Sequence, residues 1–244
     1  MADLFADIGA RGATLLAARY PRAYLDLNRA PDELEQALFD ERLPEAGAPR
    51  ARAGLGIVPR LVAENAPIYD GKLSIADAQA RIRDIHQPFH ARLAELLETM
   101  RARHGHAVLL DAHSMPAQAV RHFVARAPDG AARPVDVVLG DRHGRACHRA
   151  VREAAQDFLT MRGYGVALNQ PYAGGYITEH YGRPAAQTHA LQIEISRALY
   201  MDEESYSPTG GYERVKADMA ALAERLISLA PTLKHTGSLP SAAE

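Results

Sequence analysis

Cysteine is nearly absent. Cys147 is the one thiol in 244 residues, which excludes a disulfide framework. No apolar run approaches the ~20 residues a helix needs to cross a bilayer, so no membrane partner is expected. Neither sign of charge dominates. With 28 Lys and Arg against 30 Asp and Glu, the formal charge is −2. That balance offers no electrostatic reason to expect nucleic acid or an acidic membrane surface as partner. Internal repeats and interior low-complexity linkers are missing as well. The first residues carry acids and no basic-then-apolar signal pattern, so the expected location is cytoplasmic.

What is present is ordinary for a globular chain, 47% hydrophobic and 24% charged. The length suits one large α/β unit, expected over residues 1–230, with 231–244 as a disordered tail. Eleven His keep metal or acid/base chemistry open.

Residues 1–10 read like the middle of a helix. Ala13–Ala18 and Ala23–Asn28 read as short strands, the second ending in Asn28-Arg29. Residues 40–71, rich in Pro, Gly, Ala and Arg, read as a long loop with one short strand at Gly56–Val62. Loops that long tend to be functional or mobile, and Arg50, Arg52 and Arg60 lie in it. Ser74 and Asp77 make a capping-box-like helix start. Ile75, Ala78, Ile82, Ile85, Phe89, Leu93, Leu96 and Met100 then form one apolar stripe that ends near Gly105. His86 and His90 have the i, i+4 spacing of a two-His metal face. No Glu follows the first, Pro88 sits between them, and the pair reads as structural.

Val108–Pro116 is a buried strand delivering Asp111 and His113 to a sheet edge, where open α/β sheets bind ligands. Val135–Gly140 and Gly165–Asn169 are further strands. His143, Cys147 and His148 fit no strong zinc spacing, and Cys147 reads as a small buried hydrophobe at a helix start. Residues 172–184 combine Gly174-Gly175 with Tyr172, Tyr176, Tyr181, His180 and Arg183. They form either a pocket loop or a tight turn with Tyr packed beneath it. His189–Ser196 alternates strictly, with Gln192, Glu194 and Ser196 on one face. Glu194 is therefore either functional or on the wet face of an edge strand. Asn28-Arg29 suits bidentate carboxylate recognition, and a solvated turn Arg remains the alternative. A final helix covers 212–229. These parts together suggest hydrolysis of a small anionic amide, with a cation to hold a carboxylate, a His to hold a metal and a carboxylate to activate water.

Five blocks carry a family resemblance: Asp26–Arg29, Asp111–Pro116, Asn169–Thr178, His180–Pro184 and Gln192–Glu203. In this order they resemble the N-formylglutamate amidohydrolase family, which is related to zinc carboxypeptidases and aspartoacylase. The resemblance implies a three-layer α/β fold, a mixed, mostly parallel sheet flanked by helices, zinc-carboxypeptidase-like (phosphorylase/hydrolase-like). It implies one Zn2+ ion with His113 as a ligand and Glu194 as general base. Asn28 and Arg29 would bind the substrate carboxylate, with Arg22 as a second cation. Tyr172, Gly174, Gly175 and Tyr176 would line the pocket. The implied reaction converts N-formyl-L-glutamate, or a similar N-acyl amino acid, to formate and glutamate, as in histidine breakdown. The implied partner is a small molecule with a carboxylate, and a homo-oligomer stays open.

The family pattern also has an N-terminal Pro-His-Ser-Gly strand and a nearby acid that complete the zinc site. Met1–Phe5 matches the helix that follows them, so the expected site in this chain is incomplete. Two alternatives therefore stand beside the amidohydrolase reading. One is a catalytically silent acyl-amino-acid binder. The other is a metal-independent hydrolase using Ser114 with His113 or His180.

Overall fold

The computed structural model describes residues 1–43, 49–63, 66–126, 130–229 and 233. The chain divides into two compact units, one of residues 16–96 and one of residues 1–15 with 97–244.

In the first of these, the expected strands at Ala13–Ala18 and Ala23–Asn28 do not form. Residues 25–29 are buried but irregular: side chains take Asn28 N and the carbonyls of 27–29, while Asp26 N donates to Ile57 O at 2.7 Å outside any strand. Alternation alone could not reveal that. After a short helix α1 (Pro49–Arg52), the strand expected at 56–62 narrows to β1 (Leu61–Ala63), which pairs antiparallel with β2 (Ala66–Pro67). Much of 40–71 is otherwise irregular, as expected, and residues 44–48 and 64–65 lie outside the described ones. Helix α2 (Ile75–Arg81) starts where its cap predicts, Ser74 Oγ accepting from Asp77 N at 3.0 Å. A π-helical turn, Ile82–His86, then joins α2 to helix α3 (Gln87–His104). Pro88 gives the reason. It has no N–H for the residue-84 carbonyl and its ring crowds that oxygen, so the helix rewinds locally. Leu25, Leu27, Leu38, Phe39, Ile57, Val58, Ala78 and Ile82 form the core of this unit.

The second unit is built on a mixed sheet. Strand β3 (Ala107–Met115) pairs parallel with β8 (Thr188–Ser196). β8 pairs antiparallel with β6 (Val137–Gly140), which pairs parallel with β7 (Val166–Leu168). β4 (Val124–Arg126) and β5 (Ala132–Pro134) make a separate hairpin. Leu191, Ile193 and Ile195 of β8 are fully buried with Val137 and Leu139 under helices α4 (Arg149–Met161) and α6 (Tyr212–Ile227) and the N-terminal 3₁₀ helix Ala2–Arg11. Each such side chain contributes roughly 1.5–3 kcal/mol. The edge-strand alternative for 189–196 is thereby overturned. β8 has strands on both sides and both of its faces are buried.

One further expectation changes. Residues 172–184 are not all loop, because helix α5 (Tyr176–Tyr181) forms directly after Gly174-Gly175. Of the expected tail 231–244, only Leu233 is among the described residues. Cys147 is buried, as expected, next to His148, whose side chain caps α4 by accepting from Ala150 N at 3.2 Å.

Candidate active site

Register places the chemistry. In the parallel β3·β8 pair, Asp111 stands opposite Gln192 and His113 opposite Glu194. Residues two apart share a face, so all four side chains lie together on one side of the sheet. Across β8, Val138 and Gly140 of β6 face Glu194 and Gln192. The other face is occupied by the apolar core under the helices.

The four polar groups are linked. Gly175 N donates to Gln192 Oε1 at 2.8 Å, and Gln192 Nε2 donates to Glu194 Oε1 at 3.0 Å. The two partners set the amide orientation of Gln192, and that amide holds one oxygen of a carboxylate only 7% exposed. On the neighbouring strand His113 Nε2 meets Asp111 Oδ1 at 2.8 Å, and Thr178 Oγ1 lies 3.5 Å from Asp111 Oδ2. Where Asp111 Oδ1 accepts in this contact, His113 Nε2 carries the proton.

Gly140 makes the approach of Gly175 feasible. A Cβ there would meet Ala173 C at 2.7 Å and Gly174 N at 2.8 Å, so the backbone crosses directly over the end of β6. Gly174 has φ 121°, a conformation side chains disfavour. The crossing is pinned from below. Arg142 N donates to Ala173 O at 2.8 Å, and Asn169 Oδ1 accepts from Asp141 N and His143 N at 3.0 and 3.3 Å. Asn169, Arg142 and His143 all have positive φ. Strain of this kind persists where surrounding structure over-determines it, and it clusters at functional sites.

Of the other residues expected to line a pocket, Tyr172 is half-buried against the cluster containing Met115 and Val138. Tyr176 opens α5 and stacks on His180, ring centroids 5.0 Å apart. Burial, then Arg183, lowers the pKa of His180. The Ser114–His113 pairing fails on geometry. Ser114 points to the face opposite His113, and its Oγ accepts from Arg197 Nε at 3.4 Å. A cavity of about 180 Å³ lined by Arg142, Arg145, Ala146, Glu179 and Gly182 contains none of the expected site residues.

Arg22, Asn28 and Arg29 belong to the unit of residues 16–96. Arg29 is not a solvated turn residue. It is 9% exposed, with Nε on Leu55 O and NH1 on Asn28 O, both at 2.8 Å, and NH1 3.8 Å from Asp26 Oδ2. Asn28 is buried and its N–H donates to Asp26 Oδ1 at 2.9 Å, while the more exposed Arg22 donates to Asp26 Oδ2 at 2.6 Å. Asp26 therefore organises all three. Of the loop cations, Arg60 makes a bidentate pair with buried Glu35 at 2.9 and 3.1 Å, and the Arg50 side chain lies outside what is described.

The family model described as N-formylglutamate amidohydrolase matches residues 1–201. The chain belongs to that family. It is 32% identical over 197 residues to N-formylglutamate deformylase of Pseudomonas aeruginosa, covering 80% of this chain and 66% of that one. The Pseudomonas putida deformylase matches at 32% over 195 residues, again 79% of this chain and 66% of the relative. The chain thus spans about two thirds of the length of these curated relatives. The crystal structure of N-formylglutamate amidohydrolase from Ralstonia eutropha JMP134 superposes with a TM-score of 0.83 at 36% identity, covering 96% of this chain and 82% of that one.

For an N-formylglutamate amidohydrolase family member, the donor set tests the expected zinc. His113 carries a carboxylate on its second nitrogen, the usual support for a metal-binding imidazole. Catalytic zinc takes three protein ligands. Among the described residues no three His, Cys, Asp or Glu gather into a group able to hold a metal ion. The described residues therefore supply the expected ligand His113 and do not complete a zinc site around it. Sequence reasoning singled out His113 and Glu194, and it put Asp111 and Gln192 on the faces they occupy. Thr178 ends the block Asn169–Thr178, but nothing local in the sequence pairs it with Asp111; the turn of α5 brings it there.

Proposed function

We propose that this chain hydrolyses the amide of N-formyl-L-glutamate, or a similar N-acyl amino acid, to formate and glutamate. The carrying observation is the buried Glu194 carboxylate, oriented by Gln192 and in register with the Asp111-supported His113. Family membership and the names of the relatives support the same reading.

In the proposed mechanism Glu194 takes a proton from the attacking water and returns it to the departing amine nitrogen. Gln192 keeps one carboxylate oxygen engaged, which fixes the direction in which the other acts. Asn28 and Arg29, with Arg22 as a second cation, bind the substrate carboxylate. Tyr172, Gly174, Gly175 and Tyr176 line the acyl side. We include a zinc ion in the proposal, with His113 as its ligand from this chain; when bound, such an ion supplies Lewis-acid polarisation of the amide carbonyl. The described donors do not complete its site, so no step above depends on it. The fold is proposed to be zinc-carboxypeptidase-like. The place of work is proposed as histidine breakdown in the cytoplasm, on a small-molecule substrate, without nucleic acid or membrane and with homo-oligomerisation open. No helix among the described residues is long and apolar enough to cross a membrane.

The incomplete donor set favours a second reading, a binder of N-acyl amino acids without turnover. Formate release from N-formyl-L-glutamate, with added zinc and with a chelator, separates the two. The amidohydrolase reading expects chelator-sensitive release, and Glu194→Gln expects a loss of about 10²–10⁴-fold in kcat. Turnover unchanged in Glu194→Gln removes the general-base role. Saturable binding with no formate release supports the second reading.

A further inference from the structure

His86 and His90 are a motif that the proposed chemistry leaves unused. Their spacing suggests a metal face, but the Nε2 of each ring is engaged elsewhere. His86 Nε2 lies 3.0 Å from the carbonyl oxygen of Arg29, and His90 Nε2 lies 2.9 Å from that of Leu27. A carbonyl only accepts, so both rings carry their proton on Nε2. The two rings stack with centroids 4.1 Å apart, and Phe89 meets His90 edge-on at 5.3 Å.

The two acceptors bracket Asn28. The carbonyl of Asn28 itself accepts from Arg29 NH1 at 2.8 Å. Three consecutive carbonyls in a buried, irregular segment are thus satisfied by three side chains, His90, Arg29 and His86. A buried segment outside any strand needs such partners. The π turn ends at His86, immediately before α3, and π turns recur at functional sites.

We infer that His86 and His90 are positioning residues, a two-imidazole clamp that fixes the backbone on either side of Asn28 and so aims Asn28 and Arg29 at a substrate carboxylate. The inference rests on the reading that Asn28 and Arg29 bind that carboxylate. Binding groups displaced by as little as 1 Å lose much of their effect. The clamp accordingly contributes to substrate affinity beyond its contribution to folding.

The test is titration calorimetry of the full chain with N-formyl-L-glutamate, alongside thermal melts. His86→Gln and His90→Gln keep a terminal N–H donor at similar reach, and His86→Met and His90→Met remove it. The expected result is affinity within about twofold of the parent for each Gln variant and about tenfold weaker for each Met variant. If turnover is present, the loss falls on KM and leaves kcat nearly unchanged. Met variants that melt cooperatively and bind like the parent overturn the inference. So do Gln variants that bind as weakly as Met variants. Should a Met variant not fold, the matching Gln variant decides: retained affinity supports the clamp and weakened affinity overturns it. Arg29→Met reports separately on the underlying reading. If it binds like the parent, or the parent itself does not bind, carboxylate recognition at Arg29 fails and the clamp's role fails with it.

Discussion

His189 at the start of β8 makes the fold acid-sensitive by an amount that can be worked out. It is 1% exposed. Its Nδ1 accepts from His148 N at 3.3 Å, so the ring is neutral with its proton on Nε2, and Nε2 has no hydrogen-bond partner among the described residues. Burial, then the neighbouring His148 and His106, lower its pKa from 6.5 to about 4. Protonation would place a second proton on Nδ1, facing the His148 N–H. The unfolded chain therefore binds more protons than the folded one between these two values. Stability is complete above pH 6.5 and falls as pH drops toward 4. Integrating the linkage gives a loss of about 2 kcal/mol at pH 5 and about 3 kcal/mol at pH 4. The perturbation is His189→Asn, whose side-chain oxygen can accept from His148 N and does not titrate. The assay is urea unfolding of both proteins at pH 7.5, 6 and 5, compared at constant m-value. The parent should lose about 2 kcal/mol more than the variant between pH 7.5 and 5. Equal losses in the two proteins would refute the assignment to His189.

Three other outcomes are expected. Gln192→Leu removes the amide that joins Gly175 N to Glu194 Oε1; it should lower formate release by about tenfold or more and cost roughly 1–3 kcal/mol by denaturant melt, because a buried N–H and a carboxylate lose their partner. Gly140→Ala drives a Cβ into backbone at 2.7–2.8 Å; it should destabilise by about 1–3 kcal/mol and lower activity with it, and a neutral melt would contradict the close crossing of residues 173–174. Burial, then Asp141, raises the Cys147 thiol to about 12, so a thiol reagent at neutral pH should label it only in the unfolded chain, whereas rapid native labelling would contradict the burial.

Much of the architecture was legible in the order of residues, because period and caps are local. The stripe from Ile75 to Met100 marked one long helical stretch, and Ser74 marked its start. Alternation in 189–196 marked β8 and put Gln192 and Glu194 on a common face. It could not tell an edge strand from an interior one, since that depends on which strands come alongside. The same alternation in Ala23–Asn28 misled, because the carbonyls of Leu27, Asn28 and the following Arg29 are taken by side chains, up to 63 residues distant in sequence.

By itself, the sequence determined the long helices, the two long strands and the buried thiol, and it singled out His113 and Glu194 as the groups to watch, all properties carried within a few residues or within motif blocks. Tertiary structure alone decided what those groups touch. The β3·β8 register set His113 beside Glu194, the backbone crossing over Gly140 delivered Gly175 to Gln192, and a π turn aimed two imidazoles at the carbonyls around Asn28. Hydrogen bonds from side chains to distant backbone have no period, so no pattern in the chain announces them.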